Sequence, residues 1–358
     1  MRRIPCVLMR GGTSKGLIFH ADHLPTDPDA RDRILLRAMG SPDVAQIDGV
    51  GGATTLTSKV AIVRRSRRPE ADVDYLFAQV NITAPVVDTN PSCGNILSAV
   101  APYAVESGMV AAQQGETTVR IFNENTRTVS TAIVQTPGGL VTYDGAARID
   151  GVPGSAAPVK LDLAATAGSR TGKLLPTGAV RDVVNGIEIS CVDMSVPMVL
   201  IPAAALGRTG YESKQDLDAD HELLARIEEI RREASHVMGL GDATGKVIPK
   251  VALLAAPRGG SGISSRYFVP HVCHATHAVT GAVCIAVATG LEGTVAHELA
   301  KVSDGPQRTV RIEHPAGGLD VELAMGDGLF PTPDIRRAAV VRTARRIFEG
   351  SVVLPLEV

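Results

Sequence analysis

Tryptophan is absent and aromatic residues make up only 3% of the 358 residues, which excludes stacking platforms for sugars or unpaired bases. Charge of one sign is missing as well: 36 Lys+Arg against 38 Asp+Glu leave a formal net charge of −2. That balance excludes a basic nucleic-acid-binding domain and an acidic solvating tail. No apolar run is long enough for a membrane helix, since Ala278–Leu291 is broken by Gly281 and falls short of the roughly 20 residues required. At the N-terminus Ile4–Met9 is cut short by Gly11 and Gly12, so no signal core forms. Cysteine is sparse: Cys6, Cys93, Cys191, Cys273 and Cys284 are an odd, scattered set, which reads as free thiols in a reducing compartment. The expectation is a cytoplasmic protein with a small-molecule partner, no nucleic acid and no membrane.

What is present is 44% apolar residues, with 36 Gly and 22 Pro, enough for two cores and many tight turns. At roughly 100 to 200 residues per domain, the length allows two domains. Internal repeats make that allowance specific. Ile4–Met9 resembles Ile189–Met194, Lys59–Ile62 resembles Lys250–Leu253, Thr118–Ile121 resembles Thr309–Ile312, and Glu106-Ser107-Gly108 resembles Leu291-Glu292-Gly293. The matches are collinear, all 185 to 191 positions apart, as two copies of one domain would be. Each copy reads as strand, turn, amphipathic helix, β-rich stretch, buried small-residue helix and closing strands. The buried helices are expected over 95–106 and 280–288. The domains expected are 1–180 and 181–358, with the segment after Val340 open to either copy. A homodimer is compatible with the sequence.

Three segments carry chemistry. Cys93 stands at the head of the first buried helix, in Asp88-Thr-Asn-Pro-Ser-Cys-Gly-Asn95, where unpaired N–H groups and the helix dipole favour a thiolate. Gly94 admits a close-lying carboxylate. The alternative is an inert, buried cysteine. Lys59 opens the apolar strand Lys59–Val63, either as a base in a desolvated pocket or as a solvated strand-end lysine. Met9-Arg-Gly-Gly-Thr-Ser-Lys-Gly16 is Gly-rich but lacks the spacing of a phosphate loop, so a carboxylate nest is expected. His271, His274 and His277 invite a metal reading, but ahead of a helix their spacing does not converge, so no metal is expected. The place of Cys93 in the second copy is taken by Ala278, which counts against a two-base epimerase with one thiol per copy. A non-catalytic tricarboxylate-binding module is a further alternative.

Over nearly its whole length the chain resembles the PrpF family, through Met9–Gly16, Gln46-Ile-Asp-Gly49, Leu56-Thr-Ser-Lys-Val-Ala61, Cys93-Gly-Asn95, Ile149-Asp-Gly-Val-Pro-Gly154 and Leu174-Leu-Pro-Thr-Gly178. Gly186–Ile189, Leu206–Glu212 and Arg342–Arg345 bring it nearest the members that act on 4-oxalomesaconate in the breakdown of gallate-type aromatics. The resemblance implies an α+β, diaminopimelate epimerase-like fold of two similar duplicated domains, each with a central helix wrapped by β-sheet. It implies a cofactor-free 1,3-allylic proton shift on an unsaturated di- or tricarboxylic acid, with Lys59 and Cys93 as the acid/base pair. Gly12, Thr13, Ser14, Ser58, Gly94, Asn95, Arg266, His274, Thr280 and Gly281 are the substrate-binding residues expected beside them. Departures at Asn90-Pro91-Ser92, Met194–Met198 and His274–Gly281 keep isomerisation of aconitate, 2-methylaconitate or methylitaconate as the alternative.

Overall fold

The computed structural model describes residues 1–269, 271–303, 305–326 and 334–355. The chain divides into two compact units, Met1–Leu161 with Arg342–Val358, and Asp162–Val341.

In the first unit β1 (Arg2–Gly11) and β2 (Ser14–His20) form a hairpin. After them come α1 (Pro28–Met39), β3 (Lys59–Arg65), β4 (Val73–Val80), β5 (Val87–Asp88), α2 (Gly94–Glu106), β6 (Gly115–Asn123), β7 (Thr128–Thr136) and β8 (Pro158–Asp162). Strand β2 pairs parallel with β3, and β4 parallel with β6. Parallel neighbours need a crossover, and the two crossovers carry α1 and α2. Helix α1 starts where Asp27 accepts the Ala30 N–H with Pro28 in the first turn, and stops at Gly40 in the left-handed region. Its Ile34, Leu35, Ala38 and Met39 pack on Leu17, Phe19, Val60, Ile62, Ala78 and Val80. Side chains alternate along a strand, so Lys59, Ala61, Val63, Tyr75, Phe77 and Gln79 face the other way, towards α2. That helix packs on β1, β2, β3 and β4 and is buried throughout except at Glu106, as its all-round apolar sequence anticipated.

The second unit repeats the plan with β9 (Asp182–Val184), β10 (Ile187–Met194), β11 (Val196–Pro202), α3 (Lys214–Ala219), α4 (His221–Val237), β12 (Lys250–Ala255), β13 (Ile263–Phe268), α5 (Val279–Thr289), α6 (Val295–Leu299), β14 (Gln307–His314) and β15 (Gly317–Met325). Strands β11 and β12 are parallel around α3 and α4, and β13 and β14 are parallel around α5 and α6. The sequence repeats fall on matching elements: β1 with β10, β3 with β12, β6 with β14, and the ends of α2 and α5. Leu223, Ile227, Ile230 and Ala234 of α4 pack on Val199, Ile201, Val251 and Leu253, while α5 is buried along its whole length. The last strand, β16 (Ile335–Leu354), pairs with β15 up to Val340 and with β1 from Ala344 onwards. No helix among the described residues is long and apolar enough to cross a membrane.

Candidate active site

Eight of the twelve expected site residues belong to the first unit, and all of them but Ser58 lie at the head of α2 or on the face of the sheet that it covers. Cys93 holds the N-cap position in an extended conformation, and its side chain caps nothing. The first helical hydrogen bond runs from the Leu97 N–H to the Cys93 carbonyl at 2.9 Å. The amides of Gly94, Asn95 and Ile96 therefore have no partner within the helix and can donate to a bound anion. Of the five free cysteines only Cys93 is partly exposed. Burial pushes the thiols of Cys6, Cys191, Cys273 and Cys284 up, so those four stay protonated and inert near neutral pH. Beneath Cys93 the hydroxyl of Tyr75 donates to its carbonyl at 3.4 Å. Burial first, and the charge of Cys93 second, hold the Tyr75 phenol well above its ordinary range.

The hairpin turn after β1 lies against the same helix end. Gly12 takes φ +51°, its N–H donates to the Thr343 carbonyl at 2.9 Å, and Arg10 ties its carbonyl to Thr343. Asn95 Nδ2 donates to Thr13 Oγ at 3.1 Å. Two buried oxygens here, Ser14 Oγ and Asn95 Oδ1, have no hydrogen-bond partner among the described residues, although buried polar atoms are normally paired. A bound molecule with donors and acceptors would satisfy both. Half a turn of the Asn95 amide, with Thr13 donating to Oδ1, offers its NH2 to a carboxylate instead.

Lys59 is buried at the start of β3, opposite Gln79 of β4. Its Nζ donates to Gln79 Oε1 at 2.7 Å and lies 5.1 Å from the Phe77 ring centroid. Phe77 and Tyr75 are the next residues on that face of β4, so Lys59 and the Cys93 cap stand on the same side of the sheet. Ser58 points to the opposite face, where its hydroxyl donates to the Val80 carbonyl at 2.9 Å and accepts from Gln46 Nε2 at 2.7 Å. Gln46 also receives the Ala53 N–H, which pins the glycine-rich loop to β3. Sequence reasoning did not single out Gln79, Tyr75 or Arg10. A polar residue on the apolar face of a strand was the available signal for Gln79.

The other four expected residues belong to the second unit. Thr280 and Gly281 form the first turn of α5, which opens at Ala278. A side chain at Gly281 would meet the Tyr267 ring at 2.4 Å, so only glycine lets β13 and α5 pack this closely. His274 accepts the Thr276 N–H at Nδ1, 3.1 Å, and sits edge-on to Tyr267. His277 donates from Nδ1 to the Ala278 carbonyl at 2.9 Å, and its Nε2 shares a hydrogen bond with the Ser265 hydroxyl at 3.0 Å. Arg266 lies on the opposite face of β13, opposite Leu253 and turned towards the α4 side. It donates to the carbonyls of Glu212 and Ser265, and burial lowers its pKa. It is thus not gathered with Thr280 and Gly281. Among the described residues no group of three His, Cys, Asp or Glu side chains is arranged to hold a metal ion.

Comparison with known proteins adds to this geometry. A family model described as PrpF protein matches residues 1–355. A 4-oxalomesaconate tautomerase of Pseudomonas putida is 50% identical over 352 residues, covering 98% of this chain and 96% of the relative. The crystal structure of a methylitaconate-delta-isomerase matches with a TM-score of 0.84 and 40% identity, over 98% of this chain and 95% of that one. A hydroxyproline epimerase from Agrobacterium vitis matches with a TM-score of 0.57 at 15% identity, over 98% and 91%. That last likeness shows the fold alone, the epimerase-like α+β fold that the resemblance implied.

Proposed function

The chain belongs to the PrpF family, and from that premise we propose that it is a cofactor-independent isomerase moving a proton across an allylic system in an unsaturated di- or tricarboxylic acid. The observation that carries the reading is the placement of two proton-carrying groups, the Lys59 amine and the Cys93 thiol, on one side of the β3–β4 sheet at the head of α2. The 50% identity to a 4-oxalomesaconate tautomerase over 352 residues supports 4-oxalomesaconate as substrate. The 40% identity to a methylitaconate-delta-isomerase structure supports the second reading, a methylitaconate- or methylaconitate-type acid. Burial of four of the five thiols as free cysteines supports a reducing, cytoplasmic setting.

The chemistry follows from the groups. Taking a proton from a carbon next to a carboxylate or keto group leaves a dienolate, which needs an electrostatic partner, and its γ carbon then needs a proton donor. Lys59 removes the proton and stays beside the anion as an ammonium, Cys93 delivers a proton to the γ carbon, and exchange through solvent then takes the proton from the Lys59 ammonium and returns one to the Cys93 thiolate. The double bond moves by one position and the overall composition does not change. The amides of Gly94 and Asn95, with the hydroxyls of Thr13 and Ser14, hold a carboxylate in place, and Gly12 shapes the turn that presents them.

An NMR screen in D2O against 4-oxalomesaconate, aconitate, 2-methylaconitate and methylitaconate tests this reading. Isomerisation with deuterium entering the γ position, fastest with 4-oxalomesaconate, is the expected result. Absence of exchange in all four acids overturns the reading, and fastest turnover of another acid reassigns the substrate.

A further inference from the structure

We propose that Gln79 is a positioning residue for Lys59, fixing the direction of its amine and the pH at which it exchanges a proton. The proposal rests on the reading of Lys59 as a proton carrier given above. Three observations lead to it.

The first is the orientation of the Gln79 amide. Nε2 donates to the Ser58 carbonyl at 2.8 Å and to the Thr55 carbonyl at 3.2 Å. Both N–H bonds of the amide are therefore spent, and Oε1 is left to accept from Lys59 Nζ at 2.7 Å. Turning the amide over would take its donors from both carbonyls, leaving Ser58 with the Val80 N–H alone, and would set an NH2 against an amine that needs an acceptor.

The second is the surroundings of Nζ. One of its donor directions is taken by Gln79 and the Phe77 ring lies 5.1 Å away, which narrows the directions left for a substrate. An amide oxygen binds an ammonium more strongly than an amine, because the hydrogen bond is charge-assisted. It therefore favours the protonated state that follows abstraction. Titratable groups on this face of the first unit include Tyr75 on β4, Cys93 at the head of α2 and Asp88 on β5, opposite Gln79, and towards the far end of α2 Arg65, which donates to the Gly108 carbonyl, and Arg346, paired with Glu106. Asp88 already accepts from the Asn90 N–H and side-chain amide at 2.8 Å each. Among the described residues Gln79 is the group in hydrogen-bond contact with Lys59 Nζ.

The third is the contrast with the second copy. Lys250 opens β12 as Lys59 opens β3, but the pairing of Val251 with Phe268 brings Val269 next in line. Across from the lysine the first copy, which also carries the thiol, has Gln79, and the second has Val269.

Gln79→Met and Gln79→Glu test the proposal as a pair. Both lose the donors to Ser58 and Thr55, and they differ in what they present to Nζ. With Lys59 followed by 13Cε-lysine NMR and assigned through Lys59→Arg, the Glu variant should titrate higher than wild type and the Met variant lower. A separation of about one pH unit or more is expected, a tenfold difference in proton affinity. The limb of the kcat profile that belongs to Lys59 should move in the same directions, and the Met variant should lose about tenfold in kcat with KM within about twofold. Equal midpoints in the two variants overturn the proposal. Should both variants fail to fold, the wild-type chain still decides: the Gln79 13Cδ resonance should follow the Lys59 titration and stop doing so in Lys59→Met. Indifference of that resonance to the substitution also overturns it. Because these signals need no turnover, split midpoints in a chain that exchanges none of the four acids would defeat the proposed reaction and leave the role of Gln79 standing.

Discussion

The Asn95 side chain lies against the backbone of Gly12 so closely that a methyl group there would stand 2.1 Å from Oδ1. One residue earlier, a methyl group at Gly11 would stand 2.4 Å from the Asn95 carbonyl oxygen. The two contacts differ in kind, one against a side chain that can swing away and one against helix backbone that cannot. Together they make the hairpin turn and the first turn of α2 a single structural piece, held from outside by Arg10 and Thr343.

Alanine at these two positions should therefore fail differently. Gly11→Ala forces strand and helix apart, and a loss of roughly 1 to 3 kcal/mol, typical of overpacking, is expected in urea unfolding. Gly12→Ala adds about 1 to 2 kcal/mol of left-handed strain and pushes the Asn95 amide off Thr13. Its larger effect should be on KM, through a disordered carboxylate nest. Equal losses of stability with no change in KM would show that the nest does not hold substrate.

Lys59→Ala and Cys93→Ala should each lower isomerisation by about a hundredfold or more, the usual worth of a positioned acid or base, with melting temperatures close to wild type. The two should differ in partial reactions. With Lys59 as the base, Cys93→Ala still washes deuterium into the α position without moving the double bond, and Lys59→Ala does neither. Washout in Lys59→Ala but not in Cys93→Ala would reverse the roles.

The partial exposure of Cys93 against the burial of the other four cysteines predicts one fast-reacting thiol in the native chain and five after denaturation. Cys93→Ala should abolish the fast phase, and a polycarboxylate bound at the head of α2 should slow it. A fast phase that persists in Cys93→Ala would mean that a buried thiol is reached through opening of the fold.

Much of this arrangement was legible in the sequence because it is local. A lysine at the mouth of an apolar strand and a cysteine before Gly94 and a buried helix are visible within a few residues, and the repeats fall on matching elements of the two units. What could not be read depends on pairing. Gln79 reaches Lys59 only through the β3–β4 register, which nothing in either strand announces. Arg266 illustrates the other limit: β13 is buried on both faces, so no alternation of polar and apolar residues shows which way a given side chain points. Ser58 was expected in the pocket through the family resemblance, but as the chain neighbour of Lys59 it points to the opposite face and is bound to Gln46 and Val80.

Buried thiols also set how the fold responds to alkali. Burial raises the Cys273 thiol from 9.0 to about 12, an effect the Arg266 charge offsets in part. Between those values the unfolded chain has lost this proton and the folded chain has kept it. The folded state thus binds more protons, and stability falls as pH rises. The contribution is fully present below about 9, the unfolded value, and is lost progressively up to the folded value, with a limiting slope of about 1.4 kcal/mol per pH unit for one group. Cys191, Cys284 and Tyr75, also raised by burial, act in the same direction, so the wild-type slope should exceed that of a single group. Urea unfolding at pH 8, 9 and 10 should show this decline, and Cys273→Ala should flatten it by up to one group's share while lowering stability at pH 8 through the lost packing. An unchanged slope in that variant would mean that the Cys273 thiol meets water in the native state.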